Sequence, residues 1–332
     1  MADTPIINFQ EERDFSAKMN ATYAFVKQNF KGLAKSLLFF SAPFVLLGSV
    51  FLSEMFARML NISTTGGYGA SPFDMEDYFD STNFYLKLFA ALLFMLVGGV
   101  FTVSTTYAYM LVYDEKKSTA IEIGEVWTKV RKLFWLNFAS MFLYYIGAVL
   151  SALVLLIPVG LLVFAMAFIS PILGGISYFL YYVFFFAFCI YFSMTFFICC
   201  RENINFFDAL GRLFRLSKSN FWNTVIIGAV NFYIYYVFAF LFLIPFYLYL
   251  YISSLHNINL DPLSQSTFAE EVINTVLLML YGLASVLFIS FPLISLAFQY
   301  FDLVERKEAR GLISRIASFG QTRVADTSYE DF

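Results

Sequence analysis

The sequence predicts an all-α polytopic membrane protein: six transmembrane helices with amphipathic interfacial helices, built as three parallel units of one surface helix and two spans. Three observations carry that expectation. The 332 residues are 60% hydrophobic and only 14% charged, against about 25% charged in soluble domains. Uncharged runs of 18, 26, 68, 42 and 30 residues are bounded by Lys35–Glu54, Lys87–Asp114, Lys132–Arg201, Lys218–Asp261 and Glu271–Asp302, and a span needs about 20 residues. With six spans and both termini inside, 19 of the 21 Lys and Arg residues fall on the inner side, as the positive-inside rule requires.

The spans are expected at 33–57, 83–112, 134–162, 175–200, 221–250 and 273–301, between an inner N-terminal segment, 1–32, and an inner tail, 302–332. The longest run holds two spans, turning at Ser170-Pro171 and Gly174-Gly175. A third span there would place Arg201, Arg212, Arg215 and Lys218 on the outer side. The first 32 residues are polar and mixed in charge, so no signal peptide is expected. Disorder is excluded by the low charge and nucleic-acid binding by the lack of basic excess. Three cysteines, two adjacent, give no disulfide framework.

Each odd span follows a polar segment with helical period. Phe15, Met19, Val26 and Phe30 oppose Lys18, Lys27 and Lys31 in the first. Ile123, Val126, Trp127, Val130 and Phe134 oppose Glu122, Glu125, Lys129 and Lys132 in the second, with Arg131 adding to the basic face. Phe206, Phe207, Leu210, Leu213 and Phe214 oppose Asp208, Arg212, Arg215 and Lys218 in the third. Spacing of three and four gives an amphipathic helix, which, when basic and aromatic, lies in the membrane interface. Thr119 with Glu122 and Asn205 with Asp208 are the expected caps. The basic faces Lys129, Arg131, Lys132 and Arg212, Arg215, Lys218 are the candidate contact residues.

The second and third segments are related by an offset of 87 residues: Gly124 with Gly211, Trp127 with Phe214, Phe134-Trp135 with Phe221-Trp222, and Leu156-Ile157-Pro158 with Leu243-Ile244-Pro245. The first unit shares only Asn29-Phe30 with Asn220-Phe221. Parallel repeats imply pseudo-rotation about the membrane normal. This surface-helix, Phe-Trp, two-span pattern resembles uncharacterised bacterial six-span inner-membrane proteins similar to the membrane domain attached to some glycerophosphodiester phosphodiesterases. The resemblance covers most of residues 13–320 and implies a fold and a bacterial inner membrane. The catalytic barrel of those enzymes is missing, so it implies no hydrolase activity.

Candidate chemistry is sparse. His256 is the lone histidine, and one imidazole makes a poor metal site. Asp74, Glu76, Asp77 and Asp80 offer cation-binding oxygens, but Ser71-Pro72-Phe73-Asp74 also reads as a helix start; Thr267 with Glu270 reads as a cap. Cys199 and Cys200 are open to acylation or thiol chemistry, or are small apolar filler like Cys189. Glu54 and Arg58 are spaced to pair. No motif for a cofactor or metal occurs, and none is expected. Buried ionisable groups, which proton relays need, are not found near any span centre. Asn231, Ser104-Thr105-Thr106 and Gln299 are the polar exceptions, suited to interhelical hydrogen bonds, and Asn231 is the polar residue best placed to line a cavity. Pro43, Pro158, Pro245 and Pro292 should kink or end helices. The aromatic load of 44 Phe, 22 Tyr and 3 Trp fits interfacial belts or a groove for lipid chains.

Three function classes follow: a non-enzymatic scaffold or assembly subunit working through membrane or cytoplasmic protein partners, a lipid or apolar-solute binding or translocating protein, and an intramembrane enzyme. The first is preferred, because no catalytic or ion-coupling constellation is found and the three interfacial helices offer a cytoplasmic docking face beside the membrane lipids. Aromatic richness, prolines and the near-absence of buried charge support the second, and no acid–base pair supports the third.

Overall fold

The computed structural model describes residues 6–65, 81–257, 268–309, 311, 313 and 316, with the side chains of 57–65, 254–257 and 268 excepted. Among the described residues there is no strand. The helices are α1 (Phe15–Phe40), α2 (Ala42–Thr65), α3 (Thr82–Lys116), α4 (Ile123–Ile169), α5 (Pro171–Glu202), α6 (Phe206–Ser217), α7 (Phe221–Asn257), α8 (Phe268–Phe288) and α9 (Ser290–Glu308). By length and composition five can cross a membrane, or up to six if the bent pair α1–α2 is one span. The chain is therefore an all-α membrane protein.

Breaks fall where backbone chemistry demands them. α1 runs unbroken through residue 32, where a surface helix was expected to give way to a span, and the axis bends by 55° at Ser41. Pro43 in the next turn has no N–H to continue the ladder. Ser41 Oγ donates to Gly98 O (2.8 Å) and lies 2.5 Å from Thr102 Oγ1, fixing the bend against α3. Pro292 likewise follows the break at Ile289 between α8 and α9, whereas Pro158 and Pro245 lie inside continuous helices. α3, α5 and α9 end on Lys117, Asn203 and Ala309 in the left-handed region.

The second and third surface segments part company at one place. Val130-Arg131-Lys132-Leu133 favours helix, so α4 continues through it for 47 residues. At the same offset, Ser217-Lys218-Ser219-Asn220 holds residues that favour caps and turns, and the helix breaks between α6 and α7.

The packed core sits at the charged end of the bundle. α9 runs through its middle against α1, α3, α5, α6 and α7, and every residue from Pro292 to Glu305 is buried. Tyr107, Phe197, Tyr300 and Phe301 interlock as edge-to-face rings at 5.1–5.6 Å. The α4–α5 hairpin leaves this core: between Phe142 and Phe186 only Gly174 is buried. There the two helices touch, since a Cβ on Gly174 would lie 2.6 Å from that of Ala167.

Candidate functional site

Three regions gather the chemistry-bearing side chains: a buried polar cluster around Asp302, a charged surface at the same end, and an apolar groove along the α4–α5 hairpin.

Asp302 lies within the longest buried stretch of α9 and accepts three hydrogen bonds. Lys18 Nζ lies 2.8 Å from Oδ2, while Arg13 N (2.9 Å) and Arg306 Nε (2.8 Å) reach Oδ1. Together with Gln299 Oε1, which also accepts from Lys18 Nζ at 2.8 Å, these bonds answer the desolvation of the pair. Gln299 Nε2 then donates to Thr224 Oγ1 of α7 (3.0 Å). Lys18 thus departs from its expected place on a water-facing stripe. α1 turns Lys18, Thr22, Phe25, Val26, Asn29 and Leu33 inward and leaves Phe15 and Phe30 exposed, because the partner of Lys18 on α9 decides which stripe is inside. Burial lowers the Arg13 guanidinium below its ordinary value, opposed by Glu11 and Asp302.

The charged surface redistributes the expected basic faces. Arg131, Lys132, Arg215 and Lys218 are exposed. Lys129 pairs with Glu115 at 2.6 Å. Arg212 is turned in, contrary to its expected solvent position, and ties α5 to α9 through Glu202 (3.0 Å) and Glu308 (2.5 Å). Burial alone would lower its guanidinium, but the bonds to Glu308 and Glu202 outweigh that and raise it. Phe207 and Phe214 are 69% and 51% exposed, so α6 buries a face rotated from the expected one, toward Ala209, Leu213 and Leu216. Asn205 is the N-cap residue of α6 without a side-chain cap bond, and the N-cap of α4 is Glu122, whose N–H donates to Glu125 Oε2 (3.1 Å), three residues beyond the expected Thr119.

Asn231 is fully buried. Its Nδ2 donates to Ile227 O (3.0 Å) and lies 3.1 Å from Met19 Sδ of α1, while Oδ1 has no partner among the described residues. It does not line the groove between α4 and α5. A second polar knot joins α3, α4 and α5: Asn137 Nδ2 donates to Ser104 Oγ (2.9 Å) and Cys200 Sγ to Asn137 Oδ1 (3.1 Å), with Ser140 Oγ 3.6 Å from Cys199 Sγ. Both thiols are buried, which removes them from surface acylation. Among these groups sequence reasoning missed Asn137, Asp302 and Arg13; the one available signal was the i, i+4 polar spacing Lys18–Thr22 continued by Asn29.

The groove, about 440 Å³, lies between the hairpin helices and is lined by Tyr144, Gly147, Ser151, Phe184, Phe188 and Cys189 among others, with Phe206 and Leu210 of α6 closing one end. Tyr144 OH is committed to Cys189 O (3.0 Å) and Ser151 Oγ to Ala148 O (2.9 Å), so the surface the groove offers is mainly apolar and suits a hydrocarbon chain. At the other end of the bundle Glu54 pairs with Lys87 of α3. The side chains of Arg58, the expected partner, and of His256 lie outside the described part of the structure, as do residues Asp74, Glu76, Asp77, Asp80 and Thr267. Comparison of the chain with protein-family models, curated proteins and solved structures gave no match.

Proposed function

We propose that the protein is a non-enzymatic scaffold or assembly subunit of a bacterial inner membrane, with its charged end and both chain ends in the cytoplasm, and that it works through a protein partner held by the α4–α5 hairpin. The one-sided distribution of Lys and Arg supports the orientation. The resemblance to six-span membrane domains and the offset of 87 residues between the second and third units support the repeat reading.

The observation that carries the proposal is the hairpin's length and bareness. Leu133 to Ile169 of α4 is uncharged for 37 residues, about 55 Å at 1.5 Å per residue. The hydrocarbon layer is about 30 Å thick. Even at a tilt of about 40°, the upper end for spanning helices, α4 projects about 42 Å. Its tip, with Phe164, Phe168 and Ile172 each at least 70% exposed, therefore reaches beyond hydrocarbon, and apolar surface of that extent outside lipid marks a protein contact. Purification in mild detergent, with mass spectrometry of co-purified proteins and lipids, tests this. A defined protein should co-purify with the native chain and be lost from a Phe164→Ser/Phe168→Ser/Ile172→Ser variant that still folds.

The groove of about 440 Å³ favours a second reading, a lipid-binding or translocating protein. Co-purified lipid without protein, lost when Gly147→Phe fills the groove, is the outcome that reading requires.

A further inference from the structure

α1 carries four lysines and no acid, and the lysines divide between its two faces. Lys18 turns inward onto Asp302. Lys27, Lys31 and Lys35, each four residues from the next, are exposed on the opposite face and make no ion pair among the described residues. Like charges at that spacing repel, and the helix holds no Asp or Glu to relieve them. An external anion is the counter-charge this face lacks.

The depth of the face decides which anion. The uncharged run of 18 residues starts immediately after Lys35. Leu38 and Phe39, on the next turn, are 40% and 67% exposed, so hydrocarbon begins within a turn of Lys35. From that border the stripe extends about 12 Å along the axis toward the charged end, at 1.5 Å per residue, through the layer that holds the lipid headgroups. A shallow apolar furrow borders it, between Phe30, Ala34 and Leu37 of α1 and Leu287, Phe288 and Phe291 at the α8–α9 break. Phe30 is three residues from Lys27 and Ala34 three from Lys31, so furrow and stripe share an edge.

We infer that the outer face of α1 is a binding site for a phospholipid of net negative charge, with its phosphate on Lys27, Lys31 and Lys35 and one chain along the furrow. The apolar edge selects a lipid over a soluble anion. The three unpaired cations select an anionic headgroup over a zwitterionic one, whose own cation would meet the same lysines. Arg131, Lys132 and Lys218 are also exposed, but none of them lines this furrow. The site goes beyond the scaffold reading and does not depend on what the hairpin holds.

The test gives the full-length chain in mild detergent equal amounts of phosphatidylglycerol and phosphatidylcholine, and native mass spectrometry counts the lipids retained. The native chain should hold phosphatidylglycerol at least about fivefold over phosphatidylcholine, the effect of one lysine near an anionic surface. Lys27→Gln/Lys31→Gln/Lys35→Gln should bring the ratio close to one. The same three positions changed to Arg should keep the preference, and so should Arg131→Gln/Lys132→Gln/Lys218→Gln. Should the triple glutamine variant not purify monodisperse, Lys31→Gln alone should lower the ratio by about half or more. Glycerol phosphate, a headgroup without chains, should not displace the bound lipid. No preference in the native chain, a preference that survives the glutamine variants of α1, equal loss in the Arg131, Lys132 and Lys218 variant, or full displacement by glycerol phosphate overturns the proposal. A protein that co-purifies with the native chain, and is lost from the α1 glutamine variant while the lipid ratio stays unchanged, would overturn it in favour of an acidic protein partner. Absence of any co-purifying protein would count against the scaffold reading and leave the lipid ratios unaffected.

Discussion

Lys18 Nζ and Asp302 Oδ2 are 2.8 Å apart with side chains 4% and 2% exposed, so two unit charges are taken out of water by one contact between the first and last described helices. Removing one charge should cost more than removing both. Asp302→Ala strands Lys18 and is expected to destabilise the protein by about 3–5 kcal/mol. Lys18→Met added to it should recover part of that loss, the rest reflecting the lost bonds from Arg13 and Arg306. Denaturation in detergent, followed by circular dichroism, gives both values. Equal stability of the single and double variants would mean that the pair is not coupled.

Helix approach depends on Gly98. A Cβ there would lie 2.7 Å from Val45 Cγ2 and 3.4 Å from Val45 N, and its carbonyl accepts the Ser41 hydroxyl that fixes the α1–α2 bend. Gly98→Ala should lower stability by about 1–3 kcal/mol through overpacking. Gly124→Ala, where nothing lies within 4 Å of the added atom, should be neutral or stabilising by up to about 1 kcal/mol. Two equal melting temperatures would contradict the contact.

The α4 start should respond to acid. The Glu125 carboxyl is held below its ordinary range, first by the Lys116 hydrogen bond and then by the Glu122 N–H. A depressed folded value means stability that is present above the unfolded value, about 4.3, and lost as pH falls through the folded one. The stability difference between the native chain and Glu125→Gln should therefore be full near neutrality and shrink as pH falls below the ordinary carboxylate range. A difference that persists unchanged there would assign the effect to the cap geometry and not to charge.

Orientation is open to direct labelling. With Cys189 replaced by Ala, Asn259→Cys should react with an impermeant thiol reagent in intact cells, and Ser118→Cys only after the membrane is opened. Reaction at Ser118→Cys from outside would invert the proposed topology.

How much of this was legible in the sequence divides along physical lines. Uncharged runs located the long helices because charge in hydrocarbon is costly whatever the partner. Pro43 and Pro292 marked the breaks they follow, since a missing N–H acts locally. The faces of the surface helices were read less well. Period identifies two stripes, but Lys18 and Arg212 turned inward because Asp302 and Glu308, distant in sequence, and Glu202 at the end of α5 are there to receive them. Asn231 stands out in the sequence as a polar residue in an apolar run, but its burial against Met19 depends on how α1 packs against α7. The segment Phe9–Arg13 ahead of α1 carried no periodic signal, because its structure is imposed by the rings of Phe25, Tyr113, Phe298 and Phe301 around Phe9 and by the bonds of Arg13 to its carbonyls.

The hairpin is the centre of the functional account, and site-specific photo-cross-linking reports on it most directly. With a photoreactive residue in place of Phe168, which is 86% exposed, irradiation of intact membranes should give one discrete protein adduct, absent when the probe replaces the buried Val126. Adducts to lipid alone along Phe164, Phe168 and Ile172 would contradict the scaffold reading and leave the lipid-binding one standing.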